Sequence, residues 1–291
     1  MALPPGRLED MRMTERFDAE LIAPDALEAH PEHSPLYLPR SPMRLSKLLV
    51  IASAAVLLSA CQSFFKPDLN EPLKPKRVAW EHRPAGCANA DCPFVNVDTL
   101  KFDDEHLNAI IEQALLEETR PEPGAPVAQS LDAYEQDFLR NAQPRWSSYL
   151  QANIREQHDG LVIVELSSYL DTGGAHGQPG RSIINYDRQQ KKVLTLQDIL
   201  VPGQEQAFWD VAKTAHQAWL IANGLKDDGA FEKEWPFVKT SNIALDFGAV
   251  TLKYDVTSIA PYSMGHPLIK IPYPKLNGIV RPEYFPGRRA L

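Results

Sequence analysis

Two loops hold the side chains whose types and spacing could do chemistry. The first loop, residues 171–180, carries four glycines around His176, and the second loop, residues 259–267, places Tyr262 shortly before His266. Histidine titrates near neutral pH and is a common metal ligand, and glycine allows positive φ angles and close backbone approach. We therefore predict that function lies in these loops. The candidate residues are Gly173, Gly174, His176, Gly177, Tyr262, Ser263, Gly265 and His266.

One alternative for the second loop is a hydrolase. Residues 261–265 differ by one residue from the Gly-x-Ser-x-Gly nucleophile elbow, with Ser263 as nucleophile and His266 or His176 as base. The first glycine of that elbow lets a strand and a helix approach closely around a strained turn. Pro261 stands in its place, and no helix is predicted to follow. We interpret the segment as a structural loop and predict no catalytic residue.

A metal site is the other enzymatic alternative. His176 could bind a metal with Asp171 and His266, or its ring could instead bond to backbone groups and hold the shape of the first loop. From residue 61 onwards the sequence has neither a His-x-x-x-His pair nor a His-Glu-x-x-His motif, which are typical of metal-dependent hydrolases. We predict no metal and no cofactor. A hydrolase or metal-dependent enzyme that uses His176 is kept as the alternative function.

Two of the three cysteines, Cys87 and Cys92, lie close together in the chain. Such a pair forms a disulfide in an oxidising compartment. Zinc would require two further ligands, and only His82 lies nearby in the sequence. We therefore predict a disulfide between these two cysteines.

The third cysteine follows a segment that resembles a bacterial lipoprotein signal peptide. Residues 43–60 contain Arg44 and Lys47 and then an apolar run over residues 48–58. This run is shorter than the roughly 20 residues of a membrane-spanning helix and fits a cleavable signal. Residues 58–61, Leu-Ser-Ala-Cys, resemble a lipobox, which implies that Cys61 carries a lipid that anchors the protein to a membrane.

The surroundings of this segment predict where the protein resides and where it begins. Gln62 replaces the aspartate that tends to retain lipoproteins at the inner membrane, so we expect the outer membrane, facing the periplasm. Residues 1–42, rich in proline and acidic residues, precede the signal and are interpreted as a start codon assigned too early or as a disordered extension.

The charge of the chain disfavours nucleic acid as a partner. From Cys61 onwards there are 24 basic and 30 acidic side chains, a net charge of −6. No basic patch with interleaved aromatic residues is present in the sequence. A mildly acidic surface favours cationic partners.

The periodicity of apolar residues predicts an α+β fold, with helices packed on one face of a twisted antiparallel sheet. Residues 61–84 are rich in lysine and proline and are predicted to form a tether. Residues 85–145 are predicted to form a small helical domain, with helices capped by Asp103 or Asp104 and by Ser130. Residues 146–291 are predicted to form the larger, strand-rich domain. Residues 148–155, in which Leu150 and Ala152 belong to one alternating face, and residues 161–170 are predicted to form a hairpin. A third helix is predicted over residues 204–223, with an apolar face of Phe208, Val211, Ala212, Ala215, Trp219 and Ala222.

The strand-rich part resembles a known family, the extracytoplasmic domain of RsiV-type anti-sigma factors, also found in PdaC-type peptidoglycan deacetylases and in lipoproteins of unknown function. The matching segments are Gly-Gly-Ala-His-Gly at residues 173–177, Asn-Tyr-Asp at 185–187, Leu-Thr-Leu-Gln-Asp at 194–198, Ile-Ala-Pro-Tyr at 259–262 with Gly265, and Ile-Pro-Tyr at 271–273.

This resemblance covers roughly residues 160–276, and it implies a module that binds a protein or faces the cell wall. RsiV-type anti-sigma factors bind lysozyme through this region and signal to a sigma factor. The signalling segment and the spanning helix of that type have no counterpart in this sequence, so we expect no sigma-factor control. The expected function is therefore that of a lipid-anchored, non-enzymatic envelope module whose partner is a lysozyme-like protein or peptidoglycan.

Overall fold

A six-stranded sheet and a three-stranded sheet organise the residues that this computed structural model describes, 68–226 and 229–289. The strands are β1 (Lys76–His82), β2 (Phe94–Lys101), β3 (Ser147–His158), β4 (Leu161–Asp171), β5 (Gln178–Asp187), β6 (Lys192–Val193), β7 (Ile243–Leu245), β8 (Val250–Lys253) and β9 (Leu268–Ile271). The helices are α1 (Glu105–Glu117), α2 (Leu131–Asn141), α3 (Leu196–Ile199), α4 (Glu205–Ala222) and α5 (Gly229–Glu234). Short 3-10 turns lie at Tyr262–Met264, Tyr273–Leu276 and Pro282–Tyr284.

The larger sheet follows the chain, with strand order β1-β2-β3-β4-β5-β6. All its neighbours pair antiparallel except β2 and β3, which are parallel. Parallel strands require a long crossover connection, and here α1 and α2 provide it between β2 and β3. The strands β7, β8 and β9 form the second, antiparallel sheet. The predicted α+β class is confirmed.

Side-chain caps fix where the first two helices begin. The carboxylate of Asp104 accepts hydrogen bonds from the backbone N–H groups of His106 and Leu107, at 3.0 and 3.3 Å. The hydroxyl of Ser130 accepts one from the N–H group of Ala133 at 3.1 Å. Each cap satisfies donors that have no partner within the helix. Ser130 was predicted as a cap, and Asp104 was one of the two candidates predicted for α1.

The strand β4 separates two hydrophobic cores. Successive side chains of a strand point to opposite faces. The first core contains Val162, Val164 and Leu166 of this strand, and the second core contains Leu161 and Ile163. The first core also contains α1 and α2, as predicted for helices on one face of the sheet. The helix predicted as the third one is α4 in the structure. It lies instead in the second core, with β7, β8 and β9. Both faces of β4 are apolar, so both require a covering layer.

The tether prediction is wrong for residues 76–82, which form β1. This strand pairs antiparallel with β2, from Lys76 opposite Lys101 to His82 opposite Val95. It lies at the sheet edge and is mostly exposed. Edge strands often carry charged side chains, and the charged residues of this segment concealed the strand in the sequence.

The predicted domain boundary at residue 145 falls between β2 and β3, which pair directly.

The loop between β1 and β2 contains the predicted disulfide. Cys87 and Cys92 are bonded, with their Cα atoms 5.7 Å apart. Because both thiols are used in this bond, neither is available to bind zinc. The disulfide closes the loop immediately before β2 begins at Phe94.

The predictions for residues 1–42, for the signal segment 43–60 and for lipidation at Cys61 lie outside the described residues. Within residues 68–226 and 229–289, no helix has the length and apolar character needed to cross a membrane.

Candidate binding site

The two loops singled out in the sequence contact each other. The first loop connects β4 with β5, and the second loop lies between β8 and β9. The ring of His176 stacks on the ring of Tyr262, with ring centroids 4.7 Å apart and planes inclined by 21°. The hydroxyl of Tyr262 donates a hydrogen bond to the carbonyl oxygen of Gly177, at 3.2 Å across 85 residues of sequence. The loops therefore form one continuous surface.

Glycine is required at specific positions of the first loop. Gly173 has a φ of +81°, and its N–H group donates to the carboxylate of Asp171 at 2.8 Å. Gly177 is buried against Tyr169, and a Cβ atom on Gly177 would lie 2.2 Å from the Cζ atom of that ring. A larger residue would push the loop away from the sheet. The glycines thus hold His176 at the exposed end of the loop.

The second loop presents Tyr262 on a short 3-10 turn. The turn Tyr262–Met264 ends at Gly265, whose φ of +67° favours glycine and whose N–H group donates to the carbonyl oxygen of Tyr262 at 3.0 Å. Ser263 is exposed on this turn. The turn orients the tyrosine ring toward the first loop and leaves the serine in solvent.

His266 lies at the base of the second loop, where it is partly buried. Its Nδ1 atom is 3.1 Å from the carbonyl oxygen of Tyr254 and 3.8 Å from Oδ1 of Asp255. Its Nε2 atom is buried, and no hydrogen-bond partner for it lies among the described residues. Burial lowers the pKa of His266, and the charge of Arg181 lowers it further. These contacts give His266 a role in supporting the loop.

The geometry does not assemble a nucleophile and its base. In the described part of the chain, no hydrogen bond joins Ser263 to His176 or to His266. No three histidine, cysteine, aspartate or glutamate side chains of residues 68–226 and 229–289 lie close enough together to hold a metal ion. Asp171, considered above as a ligand, accepts a hydrogen bond from the loop backbone.

A cavity beside the first loop was not identified from the sequence. It has a volume of about 190 Å³ and is lined by Glu118, Tyr149, Ser168, Tyr169 and Gly180, among others. Glu118 follows α1 as its C-cap. A glutamate at a helix end gives no sequence signal of a site, because its burial depends on how the helix packs against β4 and β5.

The family model described as a protein of unknown function (DUF3298) matches residues 197–274, which include the second loop. No curated protein matches the chain significantly.

Solved structures that resemble the chain include two members of the DUF3298 family. A DUF3298 family protein from Pseudomonas aeruginosa PAO1 is 64% identical, with a TM-score of 0.73, and the match covers 76% of this chain and 100% of that one. A member of the same family from Bacteroides fragilis NCTC 9343 is 20% identical, with a TM-score of 0.54, and covers 72% and 93% of the two chains. The second likeness concerns the fold alone.

Proposed function

Because the chain belongs to the DUF3298 family, whose function is unknown, we propose a function from the geometry of its own site. The protein is a lipid-anchored lipoprotein of the bacterial envelope. It binds a protein or a cell-wall component through its two joined loops. It acts without catalysing a reaction. The observation that carries the proposal is the contact of His176 with Tyr262, which builds one surface from two distant parts of the chain.

The form of this surface favours recognition. Function is often carried by loops that a rigid scaffold positions, and here two sheets and a stacked ring pair hold both loops. Tyrosine offers a large contact area at a low cost in conformational entropy. Ser263 and the two histidines lack the hydrogen-bonded arrangement that activates a nucleophile.

The proposed partner and location rest on the sequence. The resemblance to the RsiV-type domain favours a lysozyme-like protein or peptidoglycan as the partner. Lysozymes are basic, and a net charge of −6 from Cys61 onwards suits a basic protein. The lipobox-like residues 58–61 and Gln62 support a lipid on Cys61 and an outer-membrane location facing the periplasm.

Binding can be measured with a soluble fragment, residues 62–291, which contains the compact unit Lys66–Leu291. We expect it to retain lysozyme or peptidoglycan in a pull-down. Tyr262→Ala removes the ring that joins the loops, so we expect at least a roughly tenfold loss of affinity, as for a central tyrosine of an interface. Phe247→Ala, at an exposed position between β7 and β8 and so at the other end of β8 from the second loop, is the matched aromatic-to-alanine control and should bind as the unmodified fragment does.

Two results would contradict the proposal. One is failure of the unmodified fragment to bind any lysozyme or peptidoglycan. The other is equal binding by the Tyr262→Ala and Phe247→Ala variants. The alternative, an enzyme that uses His176, predicts bound metal in elemental analysis or a hydrolytic activity that His176→Ala abolishes.

A further inference from the structure

Three aromatic rings form a row across one face of the larger sheet. Phe94 of β2 contacts Tyr149 of β3, with ring centroids 5.2 Å apart. Tyr149 lies directly opposite Tyr169 of β4, and the centroids of these two rings are 6.1 Å apart. The exposed fractions of Tyr149 and Tyr169 are 39% and 36%. Adjoining aromatic rings with this exposure are typical of an interaction surface.

This aromatic row lies on the face of the sheet that points away from α1 and α2. Val95, Leu150 and Leu166 belong to the first core, which contains those helices. Because successive side chains of a strand alternate between faces, all three rings of the row point to the opposite face. The second core covers that face at Leu161 and Ile163, which lie at the other end of β4. The aromatic row is therefore exposed beside the second core.

Neutral polar side chains lie beside the aromatic row on the same face. Gln151 and Ser167 are cross-strand partners, two residues along β3 and β4 from the tyrosine pair. Asn153 follows further along β3 and is exposed. Within residues 68–226 and 229–289, the side chains of Ser167 and Asn153 and the hydroxyls of both tyrosines have no hydrogen-bond partner. The face therefore offers free hydroxyl and amide groups, beginning about 7 Å along the strands from the rings.

The charged side chains next to the aromatic row form ion pairs with one another. The Nε atom of Arg77 is 2.6 Å from Oδ1 of Asp98, and Arg83 contacts Glu81 at 2.8 Å. Asp171, at the end of β4, accepts a hydrogen bond from the backbone of the first loop. A ligand on this face therefore meets rings, amides and hydroxyls together with paired charges. Because complementary charge selects charged partners, this composition favours an uncharged one.

We propose that this face binds an uncharged glycan strand. A pyranose ring carries C–H groups on its faces and hydroxyl groups at its rim. The C–H groups suit the electron-rich faces of aromatic rings, and the hydroxyl groups suit the free amide and hydroxyl groups beside them. The three rings lie on adjacent strands, which are spaced by about 5 Å, so one chain can contact them in turn. Their planes are inclined by 88° and 63°, which suits a single twisted chain rather than a flat crystalline surface.

The aromatic row continues the loop surface at Gly177. A Cβ atom on Gly177 would lie 2.2 Å from the Cζ atom of Tyr169, and the carbonyl oxygen of Gly177 accepts the hydrogen bond from Tyr262. The inference rests on the proposed function and deepens it. It names a glycan as the cell-wall component and extends the binding site from the loops onto the sheet.

The first test uses N-acetylchitohexaose, an uncharged oligomer of N-acetylglucosamine. Titration of the 62–291 fragment with this hexasaccharide, followed by NMR of the tyrosine ring resonances, should show saturable binding. We expect Tyr149→Ala to weaken binding by about tenfold, as for a central ring of an interface. Phe247→Ala removes an exposed ring that contacts His158, at the other end of β3. This matched control should bind the hexasaccharide as the unmodified fragment does.

A second variant leaves the rings in place. Asn153→Ala removes an exposed amide and should weaken hexasaccharide binding several-fold while the circular dichroism spectrum stays the same. Absence of saturable binding, or equal binding by Tyr149→Ala and Phe247→Ala, would overturn the glycan site. Retention of lysozyme by a fragment that does not bind the hexasaccharide would overturn the glycan site and keep the proposed function. Hexasaccharide binding without any lysozyme or peptidoglycan binding would reject the proposed function and keep the glycan site.

Discussion

The side chain of Asn185 bonds the larger sheet to the smaller one. Its Nδ2 atom donates to the carbonyl oxygen of Ile243 at 2.6 Å, and its Oδ1 atom accepts from the N–H group of Leu245 at 2.9 Å. The side chain is buried. It thereby pairs two backbone groups at the edge of β7 that would otherwise lie in the interior without partners.

Replacement of Asn185 tests this connection. Asn185→Ala leaves a buried donor and a buried acceptor unpaired, at a cost of about 1–3 kcal/mol each, so we expect the free energy of unfolding to fall by about 2–6 kcal/mol. Urea denaturation measures this change. Asn153→Ala, at an exposed position of β3, should change it by less than about 0.5 kcal/mol. Similar values for the two variants would contradict the role of Asn185.

At the scale of the element, α4 buries a histidine within its apolar face. His216 is fully buried in line with Phe208, Ala212 and Leu220. Its ring stacks on that of Trp219, with centroids 5.9 Å apart. Among the described residues, neither ring nitrogen has a hydrogen-bond partner. This polar group is therefore unsatisfied inside the second core.

The buried ring makes stability depend on pH. Burial lowers the pKa of His216, Glu232 opposes this effect, and Lys226 and Lys213 add to it. The unfolded chain, with a histidine pKa of about 6.5, takes up the proton first as the pH falls. The contribution of neutral His216 to stability is therefore fully present above about pH 6.5. It is lost as the pH falls toward the lower pKa of this histidine in the folded state.

His216→Leu should remove this part of the pH dependence and raise the free energy of unfolding, by about 1 kcal/mol at pH 7 and by more at pH 5. Urea denaturation between pH 5 and pH 8 provides the measurement. His106→Gln, on the exposed side of α1, is the control and should keep the slope of the unmodified protein. An unchanged slope in His216→Leu would show that other groups cause it.

At the scale of the whole molecule, β4 couples the two cores. Ile163 and Leu166 are both fully buried on this strand but belong to different cores. Ion pairs also join the two sheets, since Arg155 of β3 contacts Asp246, which follows β7, at 2.7 Å, and Glu165 of β4 pairs with Lys253 of β8. A molecule connected in this way should unfold as one cooperative unit.

Ile163→Ala and Leu166→Ala test this coupling from opposite faces of one strand. Each should lower the free energy of unfolding by about 2–5 kcal/mol. In each variant, tryptophan fluorescence and far-ultraviolet circular dichroism should report the same midpoint in urea. Two separate transitions in either variant would show that the cores unfold independently.

The sequence predicted those features of the fold that depend on neighbouring residues. Asp104 and Ser130 were identified as helix caps because capping is a local interaction. The hairpin of β3 and β4 was found from the alternation of residues such as Leu150 and Ala152. The third helix, α4 in the structure, was predicted as well. Its buried face was assigned only in part, because the prediction omitted Trp209, His216 and Leu220.

Features that depend on distant contacts were not predictable in this way. Both loops were identified by their unusual composition, but the stacking of His176 on Tyr262 depends on how β8 and β9 lie against the larger sheet. Glu118 was missed because a glutamate at a helix end is usually exposed. The strand β1 was missed because its apolar residues, Val78 and Trp80, stand among charged ones.

The composition of β1 affects how neighbouring copies of the protein behave. The larger sheet ends at one side in β6, which has two residues, and at the other in β1, which carries Lys76, Arg77 and Glu81. Short edge strands and charged edge strands both discourage a further strand from pairing. A lipid anchor of the kind proposed would concentrate many copies in the plane of one membrane. The sheet edges would then help these crowded molecules to remain separate and resist aggregation.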